Sequence, residues 1–159
     1  MKVPRVAIIM GSKSDLPIMS ETEEMLKTFA VGSKVMVLSA HRTPLATINY
    51  ALSARQRGIK VIIAGAGGAA HLAGVIAAHT TVPVIGVPMA TRHLKGIDSL
   101  FSTVQMPSGV PVATMAIGKA GAKNAAILAV QILALEDEKL QRKLAAFKKR
   151  LAAAIKKKR

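Results

Sequence analysis

The sequence predicts a three-layer αβα sandwich on a five-stranded parallel sheet, carried as one domain over residues 1–159. Three observations point there. Short runs rich in Val, Ile and Ala recur along the chain, helix-length segments separate them, and Gly, Ser and Pro mark the junctions. With 51% apolar residues the chain can bury a core large enough to offset its ordering entropy, which excludes a disordered protein.

Taken in order, Val6–Met10 is the first strand, and a helix over Asp15–Ala30 follows, opened by Ser14-Asp15 with Pro17 in its first turn. Val35–Leu38 is the second strand. Thr43 then caps a helix with Pro44 at its first position, and Gly58 stops it. Val61–Ala64 is the third strand, and a helix over His71–His79 follows a glycine-rich turn. Val84–Val87 and Val112–Ala116 complete the sheet, and a helix over Gly121–Leu135 closes the alternation. The runs are too short for helices, and most read as strands buried on both faces. Strand–helix alternation implies right-handed crossovers, so the fold is flavodoxin-like or Rossmann-like, with ligands at the carboxyl ends of the strands.

The last segment, residues 137–159, reads as an appended amphipathic helix. Leu140, Leu144, Phe147, Leu151 and Ile155 recur every three or four residues, with Lys143, Lys149, Arg150 and Lys157 on the opposite face. That stripe packs on its own domain or on a neighbouring subunit; a membrane surface is a third option, weakened by the lack of Trp.

Composition narrows the function. No cysteine is present, so disulfides and Cys-ligated metal sites are excluded. No apolar run approaches the ~20 residues of a membrane span, and the run after Arg5 is too short for a signal peptide, so a cytoplasmic protein is expected. The chain carries 23 Lys and Arg against 8 Asp and Glu, a formal charge of +15. Ten of the basic residues lie from Lys139 onward, and no acidic residue occurs between Met25 and Ile97. Such a field attracts polyanions without specificity. One Tyr, three Phe and no Trp leave few platforms for stacking single-stranded bases, so the excess reads first as a solvated surface.

Chemistry gathers after the first three strands. Gly11-Ser12-Lys13-Ser14-Asp15 offers backbone N–H groups, two hydroxyls and a helix start, which suits a phosphate, although the spacings of a P-loop or dinucleotide fingerprint are absent. Ser39-Ala40-His41-Arg42-Thr43-Pro44 joins a group able to move protons near neutrality to a fixed cation. Gly65-Ala66-Gly67-Gly68-Ala69-Ala70-His71-Leu72 leaves almost no side chain, so a ligand can lie against backbone there.

These three blocks, in this order, resemble the PurE family of purine biosynthesis. A fourth block does too, running from Asp98-Ser99-Leu100 through Val104-Gln105-Met106-Pro107 to Gly109-Val110-Pro111-Val112. The resemblance spans Val6 to Leu135. Arg42 after His41 resembles the class I enzymes; class II enzymes, which carboxylate aminoimidazole ribonucleotide directly with CO2, typically have Lys there. The implied reaction interconverts N5-carboxyaminoimidazole ribonucleotide and 4-carboxyaminoimidazole ribonucleotide without metal or organic cofactor. The resemblance makes His41 the general acid/base and gives the ribose phosphate to Ser12, Asp15 and Arg42. It adds Ser39, Gly67, Ala70 and His71 to the substrate site, and implies a homo-octamer with sites shared between subunits. The sequence departs from the family pattern at Ala73, where Pro is usual, and at Leu45 and Leu52, where charged residues are common. Leu45, Ile48 and Leu52 share one helix face, with Tyr50 and Ala54 roughly opposite. A second reading follows, in which the chain is a surface-altered or engineered scaffold of this family, used for assembly or polyanion binding.

Overall fold

The computed structural model describes residues 4–156. Five parallel strands form one sheet in the order β2-β1-β3-β4-β5: β1 is Val6–Met10, β2 Ser33–Val37, β3 Val61–Ala66, β4 Val84–Pro88 and β5 Ala113–Thr114. Side chains alternate across the sheet as the period of two requires. Val6, Ile8, Met10, Val61 and Ile63 enter one core, and Ala7, Ile9, Ile62 and Ala64 enter the other. The first core lies under α1 (Leu16–Thr28), α5 (Lys119–Ala134) and α6 (Glu138–Lys156), the second under α2 (Pro44–Ser53) and α3 (Leu72–Ala78). The central strands are therefore buried on both faces, as their continuous apolar runs predict.

The edges differ from that expectation. β2 exposes Lys34, Val35 and Val37 because nothing pairs with its outer side among the described residues. β5 keeps two residues of the predicted five, paired Ile85 to Ala113 and Gly86 to Thr114. The helix after Thr43 ends at Ser53, and turns carry the chain from there to Gly58. Thr43 does not cap it. Its hydroxyl accepts the Ser39 N–H (2.9 Å) and lies 3.1 Å from the Ser39 carbonyl, closing the loop before the helix instead. The sequence reading also missed α4, Ile97–Val104. Its buried positions are Ser99 and Thr103, so it presents no apolar stripe to the core, and eight residues are too few to show a period.

The closing helix divides its stripe. Asp137 accepts the Leu140 N–H (3.2 Å) at its start, and Lys143 donates to the Phe29 carbonyl (2.8 Å). Leu140 is buried, and Phe147 packs edge-to-face on Phe29 with ring centroids 5.4 Å apart. Leu151 and Ile155 remain 51% and 70% exposed. Lys157, at the predicted end of the helix, lies outside the described residues. On α2, Thr47, Tyr50 and Ala51 face the core, while Leu45 and Leu52 stand 76% and 60% exposed. Among the described residues no helix is long and apolar enough to cross a membrane.

Candidate functional site

The strand order reverses its direction of growth at β1: β2 lies on one side, and β3, β4 and β5 on the other. The crevice outside the carboxyl ends of β1 and β3 is the switch point at which α/β folds bind ligands. Three loops meet there, and they are the three blocks read from the sequence. They line a concavity of about 460 Å³ that includes Ser12, Asp15, Ser39, His41, Arg42 and Gly67.

The first loop is built by a capping box on a single 3₁₀ turn, Lys13–Asp15. The Ser12 N–H donates to Asp15 Oδ2 (3.1 Å), and the Ser14 N–H donates to Ser12 Oγ (3.3 Å). Gly11 N–H is held by the Gly65 carbonyl (3.1 Å), and Asp15 N–H by the Ser12 carbonyl (3.1 Å). This narrows the expected backbone cradle for phosphate. Four of the five N–H groups of the turn already have protein partners, which leaves the Lys13 N–H and the side chains to meet an anion here. Burial holds the Asp15 carboxyl above its ordinary range, opposed by the Ser12 N–H and by the nearby Arg42 guanidinium.

The second loop places the cation. Arg42 Nη2 donates to the Gly11 carbonyl (2.7 Å), and Arg42 N–H and Nε–H both reach Ser39 Oγ (3.1 and 3.4 Å). Ser39 thus positions Arg42, and Arg42 ties the β2 loop to the β1 loop. His41, next along the chain, is exposed, and its Nε2 lies 2.8 Å from Nδ1 of His71 at the end of the third loop. The rings meet edge-to-face with centroids 4.9 Å apart. In the hydrogen bond one ring donates and the other accepts, so a single proton lies between them.

The third loop is braced from beneath by α4. Gly68, at φ 67° in the left-handed region, donates its N–H to Ser99 Oγ (2.9 Å). The Ser102 hydroxyl donates to the Gly68 carbonyl (3.3 Å). Neither serine stood out in the sequence as a site residue, although both fall in or beside the fourth block. Ala70 is buried behind the loop and does not line the concavity, while His71 enters through its contact with His41. His41, Arg42, Gly67 and Ala69 are all exposed, so one chain alone does not enclose the space. Among the described residues no group of three or more His, Cys, Asp or Glu is placed to hold a metal ion.

The chain is similar to known proteins along most of its length. A family model described as AIR carboxylase matches residues 5–154. The chain is 59% identical over 144 residues to a protein of Vibrio parahaemolyticus named N5-carboxyaminoimidazole ribonucleotide mutase, covering 91% of this chain and 89% of that one. It is 54% identical over 153 residues to a Thermotoga maritima protein of the same name, covering 96% and 88%. A crystal structure of Treponema denticola PurE superposes with a TM-score of 0.88 at 28% identity, covering 97% of this chain and 95% of that one.

Proposed function

The chain belongs to the AIR carboxylase (PurE) family, and on that premise we propose that it is an isomerase of purine biosynthesis. It interconverts N5-carboxyaminoimidazole ribonucleotide and 4-carboxyaminoimidazole ribonucleotide. The observation that carries this reading is His41 at the rim of the strand-end concavity, next to a pinned Arg42, with Asp15 lining the same space. Moving the carboxyl group from N5 to C4 needs a proton delivered to the nitrogen as the carbamate breaks. It then needs a proton removed from C4 once CO2 has been recaptured. A single imidazole does both, donating in the first half and accepting in the second. His71 holds His41 Nε2 until substrate displaces that contact. Asp15, as an acceptor, suits the ribose hydroxyls, and Arg42, a planar fixed cation, suits the phosphate. Arg42 in this position follows the class I pattern.

CO2 released in the first half must not escape to water, and the exposed rim cannot retain it alone. A second copy supplies the missing wall in this reading. The assembly is an octamer with shared sites, it works in the cytoplasm, and its charge draws polyanions non-specifically at low salt. Incubation of the purified protein with either carboxylated nucleotide, without ATP, tests the function. Both directions should reach the same mixture. No interconversion, or product formed only from aminoimidazole ribonucleotide and bicarbonate, would overturn it.

A further inference from the structure

The third loop has no side chain able to fix its own course. Gly67 and Gly68 lead into Ala69 and Ala70, and Gly68 sits at φ 67°, a conformation that glycine enters and leaves at little cost. Both polar groups of Gly68 are held by one face of α4. Its N–H donates to Ser99 Oγ (2.9 Å), and its carbonyl accepts the Ser102 hydroxyl (3.3 Å) together with the Ala70 N–H (2.8 Å). Ser99 is fully buried, and a Cβ built on Gly67 would stand 3.8 Å from its Oγ, so both glycines rest against this one side chain. The helix is itself anchored at its start. The Thr91 hydroxyl donates to Asp98 Oδ1 (2.8 Å) and accepts the Gly96 N–H (3.1 Å).

We infer that Ser99 is a positioning residue for the reaction. It acts through Gly68, holding the backbone from Gly67 to Ala69 in the course that lines the concavity beside His41. The role rests on the mutase reading above. Without Ser99 Oγ the half-buried Gly68 N–H loses its acceptor, and a glycine pair has many other courses open to it. The hydrogen bonds of Ser12, Asp15 and Arg42 stay within the first two loops, so the nucleotide keeps its anchor there. What suffers is the step that needs an exact wall. The carbamate carbon–nitrogen bond still breaks and the nitrogen still takes its proton from His41. With the loop out of place, CO2 and aminoimidazole ribonucleotide then leave as separate products in more of the turnovers.

Three variants of the full chain test it: Ser99→Ala, Ser99→Cys and Thr103→Val. Thr103 is buried on the same helix, and its hydroxyl donates to the Ser99 carbonyl (2.7 Å) and not to the loop, so Thr103→Val reports a purely structural loss. Ser99→Ala should lower kcat about tenfold, the weight of one hydrogen bond in a barrier, with KM within about threefold. It should also raise the share of turnovers that end in aminoimidazole ribonucleotide. Ser99→Cys keeps the volume with a weaker acceptor, and shows the same pattern in smaller measure even where the alanine variant does not fold. Amide hydrogen exchange at Gly68, measured without substrate, should quicken about tenfold in Ser99→Ala and stay within about twofold in Thr103→Val. An unchanged kcat and product ratio in both Ser99 variants would overturn the inference, as would equal changes in Thr103→Val. If the unaltered protein interconverts nothing, the mutase reading falls by itself. Gly68 exchange then still decides whether Ser99 holds the loop, and unchanged exchange in the Ser99 variants would overturn that.

Discussion

Replacing His41 by Asn is expected to lower kcat by ~10²–10⁴-fold, the contribution of one general acid/base group. Asn keeps a polar side chain, shorter than the imidazole, and cannot take up or release a proton in turnover. The fold should be indifferent, since His41 is exposed and its recorded side-chain contact is with His71, itself exposed. Binding of the nucleotide should also persist, because Arg42 is fixed by Gly11 and Ser39 and not by His41. Steady-state kinetics beside direct nucleotide binding would check this. Retention of more than about a tenth of the activity would remove His41 from the proton transfers.

The second large effect is on stability. Gly121 lies in the first turn of α5, and a Cβ added there would be driven into the carbonyl of Ala116. The obstacle is backbone and cannot swing aside like the end of a side chain. Gly121→Ala must therefore lift the start of α5 from the sheet. That start is anchored by Gly118 N–H to the Pro88 carbonyl (2.9 Å) and by the buried Thr22 hydroxyl to the Ala122 carbonyl (2.9 Å). We expect a loss of about 3 kcal/mol, at the upper end for overpacking, and with ~2–4 °C per kcal/mol a fall in Tm of roughly 6–12 °C. Ala120→Ser, on the exposed side of the same turn, should shift Tm by less than about 2 °C. Equal melting of the two variants would mean that the helix start is not seated as described.

The central strands were legible because burial on both faces writes itself as a continuous apolar run, and β1, β3 and β4 are such runs. The same signal fails at the edges, where β2 is mostly exposed and β5 shrinks to Ala113–Thr114. It fails at α4 for the opposite reason: Ile97, Phe101 and Val104 face outward while Ser99 and Thr103 face in. A period computed on apolarity alone cannot recover an inverted face. At the site, each loop was readable as a local motif, because turn chemistry is local. What joined them was not. The His41–His71 contact spans 30 residues, and the Arg42–Gly11 contact spans 31. Both depend on β1 lying between β2 and β3, which is a property of topology. The Ser12–Asp15 capping box was within reach of sequence, since Ser followed three residues later by an acidic residue is its signature. Its presence implies that most of the turn's backbone donors are already engaged.

In the proposed reaction the carboxyl group travels from N5 to C4 within one closed site, with His41 moving both protons. N5-carboxyaminoimidazole ribonucleotide carrying ¹³C in its carboxylate, turned over in excess unlabelled bicarbonate, tests it most directly. The first product formed should keep most of its label at C4, because CO2 is recaptured before it mixes with solvent. Product formed at a normal rate with its label diluted to the level of the bicarbonate pool would contradict it.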